Sequence, residues 1–197
     1  MLPEPIAVTV KVTEVLEKLG IPYLVGDSLA STLYGMVRTT QDSDIVADMR
    51  IEHIQPFVTA LQNEFFIDEE MIAESIRRNS SFNIIHRETM FKVDVFIPRP
   101  RPFHQSQLAR AQRQTFSTNP VVSARFSSAE DTILSKLEWY RLGGEVSERQ
   151  WRDVLGVLKT RASALDLDYL HMWAKELKVS DLLKQVLEES TENPTGI

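Results

Sequence analysis

The chain contains no cysteine, which excludes disulfides, thiolate zinc sites, iron–sulfur clusters and a thiol nucleophile. No apolar run approaches the ~18 residues that a membrane span requires. The start, Met1-Leu2-Pro3-Glu4-Pro5, has neither the basic residues nor the apolar stretch of a signal peptide. The expectation is a cytoplasmic protein without a membrane partner. G-x-G-x-x-G, Walker A and G-x-S-x-G motifs are all missing, as are internal repeats. His53, His86, His104 and His171 stand apart, with no His-x-x-x-His pair, and read as surface or packing residues rather than zinc ligands. Positive charge is also in short supply. Twenty-two Lys and Arg against 28 Asp and Glu give a net charge of −6, which argues against DNA or indiscriminate polyanion binding, where Lys and Arg supply most of the affinity.

The overall balance conceals a segregation. Val95 through Ala129 contain no acidic residue, whereas Arg99, Arg101, Arg110, Arg113 and Arg125 fall inside that stretch, so the rest of the chain carries −11. The segment is either a solvated cationic face or a seat for a triphosphate or an RNA acceptor.

With 197 residues, 43% hydrophobic and 25% charged, the chain has the composition of a soluble globular protein. It is long enough to bury roughly 70% of the surface its unfolded form exposes. Up to about Arg125 helical and strand-like patterns alternate, and beyond it the pattern is helical. Val8, Val12, Val15, Leu16 and Leu19 predict a helix from about Ile6 to Leu19, stopped by Gly20. A strand over Ile21 to Val25, a Gly26-Asp27-Ser28 turn and a short helix over Leu29 to Tyr34 follow. The spacing then predicts a strand at Asp42 to Met49, helices at Glu52 to Glu64 and Glu69 to Arg78, and a hairpin from Phe82–His86 with Met90–Ile97. In the second part, Ser128 and Ser147 open capping-box sequences, and Asp166 and Ser180 can cap two further helices. The organisation expected is an α/β domain over 1–125, a four-helix region over 126–189 and a polar tail over 190–197. Trp139, Trp151 and Trp173 fall on helical periodicity and are expected in core or interface packing.

The chemistry concentrates at Asp42-Ser43-Asp44. Side chains two apart on a strand share a face, so two carboxylates are placed side by side. Their repulsion is relieved by a divalent cation, and Mg2+ is held by one or two carboxylates together with phosphate oxygens and water. In Phe91-Lys92-Val93-Asp94-Val95-Phe96, alternation sends Asp94 away from its apolar neighbours. If that strand lies beside the first, three carboxylates converge, the arrangement of two-metal phosphoryl or nucleotidyl transfer. Gly26, in a strand-to-helix turn, lets phosphate oxygens approach backbone N–H groups.

The ordered set Tyr23-Leu24-Val25-Gly26-Asp27-Ser28-Leu29-Ala30-Ser31, Tyr34-Gly35, Arg38-Thr39-Thr40, Asp42-Ser43-Asp44-Ile45-Val46 and then Asp94 resembles the nucleotidyltransferase superfamily of the DNA polymerase β type. Within it the chain is most similar to small prokaryotic AbiEii-like toxins and minimal nucleotidyltransferases. Glu130-Asp131, Lys136, Arg141 and Gln150-Trp151-Arg152-Asp153 look like that group's helical motifs. The resemblance implies a nucleotidyltransferase-type mixed sheet flanked by helices, with a helical region after it. It also implies a transferase that moves a nucleoside monophosphate from an NTP to an acceptor hydroxyl on RNA, a partner protein or a small molecule, with two Mg2+ ions. Asp42 and Asp44 would hold Mg2+ against the triphosphate, while Asp94 would complete the second metal site and assist deprotonation of the acceptor. Gly26 and Ser28 would contact phosphates, Lys136 would neutralise triphosphate charge and Asp153 would orient that lysine or the acceptor. Arg99, Arg101, Arg110 and Arg113 would line the acceptor side of the cleft.

One position departs from the pattern: Asp27 stands where the superfamily has Gly or Ser. Either Asp27 caps the following helix while Ser28 supplies the small hydroxyl, or its carboxylate weakens nucleotide binding. The second case opens the alternative of a non-catalytic module that keeps the fold and serves as an antitoxin or scaffold.

Overall fold

In the computed structural model, which describes residues 2–26, 29, 42–118, 121–161 and 164–192, the first helical pattern becomes α1 (Glu4–Lys18). Val8, Val12 and Leu16 form its buried stripe. Pro5 sits in the first turn, where a missing N–H breaks no helical bond, and Gly20 takes the left-handed φ of 69° just past the end. The strands are β1 (Tyr23–Val25), β2 (Asp42–Ala47), β3 (Phe65–Phe66), β4 (Ser81–His86), β5 (Lys92–Phe96), β6 (Gln112–Thr118) and β7 (Val121–Phe126). They form one mixed sheet in the order β3-β4-β5-β2-β1-β7-β6. A 3-10 turn (Ile51–His53), α2 (Ile54–Leu61), α3 (Glu69–Arg78) and α4 (Pro102–Arg110) complete this part. Ser43, Ile45 and Ala47 of β2 and Val93 and Val95 of β5 are fully buried, while the residues between them are half-buried. α1 packs on β2, β7 and α2, and α3 packs on β4.

Several boundaries differ from the sequence pattern. The helix expected over Glu52 to Glu64 divides into the 3-10 turn and α2, and the chain then pairs Phe65 with His86 as a two-residue edge strand. The second hairpin strand begins at Lys92, because Met90 adopts a left-handed φ of 58° in the turn. The segment rich in arginine carries regular structure as well as charge: α4, and the β6–β7 hairpin that extends the sheet past β1. Pro102 in the first turn of α4 and Asn119-Pro120 between two runs rich in β-branched residues were the local signals. The helix expected at 29–34, apart from Leu29, and the side chains of Asp27 and Ser28 lie outside the described residues.

α1, β1 and β6 are tied together at Glu17. The Tyr23 hydroxyl donates to Glu17 Oε1 at 2.8 Å, Arg113 Nη2 donates to the same oxygen at 3.1 Å, and the Arg125 backbone N–H donates to the Tyr23 oxygen at 3.2 Å. Burial, reinforced by the bond to Glu17, pushes the Tyr23 phenol up to about 12. A phenol held protonated in the folded state stabilises fully below its unfolded value near 10, and the contribution is lost as pH rises towards 12. A rise of that size is worth at most about 2–3 kcal/mol, less whatever solvent screening removes at the phenol oxygen. Denaturant unfolding at pH 8 and near pH 12 should therefore show a larger alkaline loss for the wild type than for Tyr23→Phe. Equal losses would show that this phenol does not contribute.

Two compact units divide the described chain, the first ending at Ser127 and the second beginning at Ser128. The second unit contains α5 (Ala129–Leu142), α6 (Glu148–Arg161), α7 (Leu167–Glu176) and α8 (Ser180–Glu192). Ser128 Oγ accepts the Asp131 N–H at 3.1 Å, Ser147 Oγ accepts the Gln150 N–H at 3.4 Å and Asp166 accepts the Tyr169 N–H at 2.9 Å, so three of the expected caps are formed. Ser180 is the first residue of α8 rather than its cap, and α8 continues to Glu192, into the stretch read as tail. Trp139, expected in core or interface packing, is 53% exposed. Trp151 packs against Tyr140 at 5.3 Å between ring centres and donates its indole N–H to Glu189 at 2.8 Å.

Candidate active site

β2 and β5 run parallel as neighbours, with Asp42 opposite Lys92 and Asp44 opposite Asp94. Residues paired in this way share a sheet face, so Asp42, Asp44, Lys92 and Asp94 lie together, opposite the face that carries Ser43, Ile45, Val93 and Val95. All four are half-buried, screened by the strands yet reachable by solvent. Gly26 follows β1 and donates its N–H to the Asp44 carbonyl at 2.7 Å. A Cβ built on Gly26 would stand 3.4 Å from the Asp44 Cβ, so a larger residue there would fill space beside the carboxylate.

Lys92 is the member of this group that the motif pattern did not single out. Its Nζ lies 2.7 Å from Asp94 Oδ2. The hydrogen bond to Asp94 holds the Lys92 ammonium above the ordinary lysine value against the cost of burial, and the charges of Asp94, Asp42 and Asp44 add to the effect. The available signal was parity: a lysine two residues before an aspartate on the same strand must share its face.

Among the described residues, no group of three or more His, Asp or Glu side chains is spaced to hold one metal ion. Asp94 is turned onto Lys92 instead. The donor chemistry still suits a hard divalent cation, because Mg2+ requires only one or two protein carboxylates when phosphate oxygens and water complete its shell. Asp42 and Asp44 supply such a pair on one strand face.

The remaining expected site residues lie on other elements. Lys136 of α5 and Asp153 of α6 are paired at 2.9 Å with side chains only 7% and 5% exposed. Three further polar residues are buried in the first turn of α5, two of them with partners across the helical unit. Glu130 Oε1 accepts the Asp166 N–H at 3.0 Å, and Asp131 accepts the hydroxyls of Tyr169 at 2.7 Å and Ser128 at 2.9 Å, while Thr132 is also enclosed. The arginines stand on different elements. Arg99 lines an open cavity of about 470 Å3 with Asp48, Arg50, Glu52 and His104, beyond the C-terminal ends of β2 and β5, whereas Asp42 opens β2. Arg101 precedes α4 and Arg110 ends it. Arg113 is engaged by Glu17 and by Ser123 Oγ at 2.7 Å. His53 Nδ1 accepts the Arg50 N–H at 3.0 Å, and His86 is buried against Phe65.

With this geometry in view, comparison with solved structures decides the fold. An antigenic nucleotidyltransferase-like protein from Paracoccidioides brasiliensis superposes with a TM-score of 0.62 over 96% of this chain and 90% of its own, at 15% identity. The fold is nucleotidyltransferase-like. ANT(2")-Ia, in a structure with adenylyl-2"-tobramycin, superposes with a TM-score of 0.54 over 88% of this chain and 96% of its own, at 12% identity. No family model matches the sequence, and no curated protein matches it. Among the described residues no helix is long and apolar enough to cross a membrane. On the nucleotidyltransferase-like fold of this chain, the carboxylates stand on two central strands of the sheet, β2 and β5.

Proposed function

We propose that the chain is a Mg2+-dependent nucleotidyltransferase that moves a nucleoside monophosphate from an NTP to an acceptor hydroxyl. The observation that carries this reading is the parallel register of β2 and β5, which sets Asp44 opposite Asp94 and keeps Asp42 on the same face, with the Gly26 N–H bonded to the Asp44 carbonyl. Asp42 and Asp44 would hold Mg2+, whose chemical contribution is to neutralise triphosphate oxygens. Gly26 leaves room beside Asp44 for the phosphates to approach. Asp94 would receive the proton of the acceptor hydroxyl as its oxygen bonds to the α-phosphorus, and the bond from that phosphorus to pyrophosphate breaks. Apart from that proton transfer the work is positioning and charge compensation, as this chemistry generally requires.

The similarity to ANT(2")-Ia with its adenylylated tobramycin favours a small polyhydroxylated molecule as acceptor over RNA or protein. An AbiEii-like toxin–antitoxin role rests on motif order alone. A second reading, a non-catalytic binding module, draws on the Lys92–Asp94 pair, which engages the carboxylate assigned to the acceptor.

Incubation with NTPs labelled at the α-phosphate, in the presence of aminoglycosides, total RNA or cell extract, tests the proposal, since the labelled species names the acceptor. Mg2+ and NTP together should also raise the melting temperature. A ligand at 100 times its Kd stabilises the native state by about 2.7 kcal/mol, which is roughly 5–10 °C for a chain of this size. Neither labelled product nor thermal shift with any NTP would leave the binding-module reading in its place.

A further inference from the structure

The carboxylate face carries three negative charges and one positive charge, and the positive one is not free to be elsewhere without cost. Lys92 stands opposite Asp42 in the register and bonds to Asp94, two positions along its own strand. Its side chain remains 42% exposed while that of Asp94 is 21% exposed. The ammonium therefore reaches into the cluster from the solvent side on a flexible four-carbon stem, and can withdraw without disturbing the buried face of β5. A carboxylate bonded to an ammonium is a weaker ligand and a weaker proton acceptor than a bare one.

We propose that Lys92 is the resident counter-ion of this cluster, a positioning residue that competes with divalent cations for Asp94 and so sets the cation affinity of the site. The proposal rests on the nucleotidyltransferase reading for its purpose, though its geometry stands alone. In the resting protein the ammonium compensates the clustered aspartates. When a nucleotide brings a cation to the site, the Lys92–Asp94 bond opens and Asp94 exchanges the ammonium for the dication. Cation occupancy is thereby linked to substrate, because the site holds a dication weakly until triphosphate oxygens add their own charge. A merely structural ion pair on a half-exposed strand face would affect stability modestly and leave cation affinity unchanged.

The test is a Mn2+ titration followed by electron paramagnetic resonance, without nucleotide, on the wild type, Lys92→Met and Lys92→Arg. Removing one positive charge a few ångströms from the cation should tighten Mn2+ binding roughly tenfold, with the difference shrinking as ionic strength rises. Lys92→Arg should retain the wild-type affinity. In an Asp94→Asn background, Lys92→Met should change affinity much less, because the competition has lost its object. Unchanged or weaker Mn2+ binding in Lys92→Met overturns the proposal. Should Lys92→Met fail to fold, Lys92→Gln carries the same expectation with a polar end. The titration needs neither NTP nor acceptor, so the two readings fail separately. Tighter Mn2+ binding in a protein that labels no acceptor supports the counter-ion role and removes the transferase, whereas unchanged binding in a protein that labels an acceptor does the reverse.

Discussion

Asp44→Asn should abolish nucleotidyl transfer, lowering kcat/KM by roughly a thousandfold or more, the scale on which loss of one electrostatic group at a reacting centre is felt. That factor corresponds to about 4 kcal/mol of transition-state stabilisation. Asparagine keeps the shape of the side chain and removes the charge, so the loss would report charge rather than packing. Asp44 sits among Asp42 and Asp94 on one sheet face, and removing one of three clustered carboxylates relieves repulsion. The melting temperature of Asp44→Asn should accordingly equal or exceed that of the wild type. Falling activity with rising stability is the signature of a site whose charges are placed for function. A variant that transfers label at the wild-type rate would remove Asp44 from the site, and the proposed chemistry with it.

Lys136→Met should have the largest effect on stability. The Lys136–Asp153 pair is almost fully enclosed, at 7% and 5% side-chain exposure. Deleting the ammonium strands a buried carboxylate, and breaking such pairs costs about 3–5 kcal/mol. For a chain of 150–250 residues this lowers the melting temperature by roughly 6–20 °C, and it takes a large share of a total stability of ~5–15 kcal/mol. The double variant Lys136→Met with Asp153→Leu should recover most of the loss, because two apolar side chains need no partner. It also separates stability from function. If Lys136 faces the triphosphate, the double variant folds but does not transfer label. A stable double variant with normal activity would assign the pair to packing alone.

Local pattern carried the outline of both units. Alternation along Asp42-Ser43-Asp44-Ile45-Val46-Ala47 is sharp because one face of β2 is enclosed, so the carboxylates had only one face left to them. The Ser128 and Asp166 caps were legible because the bonds they make span three residues. The α4 helix and the β6–β7 hairpin were hidden for the opposite reason. β6 is an edge strand exposed over most of its length, so it lacks the apolar alternation that a half-buried strand shows, and its arginines drew attention to charge. The 3-10 turn before α2 and the short β3 strand are settled by pairing with distant residues, such as Phe65 with His86.

At the site, strand parity alone put Asp42 and Asp44 on one face and turned Asp94 away from its apolar neighbours, since parity is a property of the backbone. Nothing in those segments required that β2 and β5 be neighbours, that they run parallel, or that Asp44 come to rest opposite Asp94 rather than one residue away. A slip of one residue turns every side chain to the other face, and what forbids the slip is the burial of Ser43, Ile45, Val93 and Val95 against the rest of the unit. Lys92 entered the cluster through the same register. Lys136 met Asp153, 17 residues away, because α5 and α6 pack together, and an enclosed ammonium must find a carboxylate within reach. Parity is local and can be read along the chain, whereas register and ion pairing are settled only by what the whole fold buries.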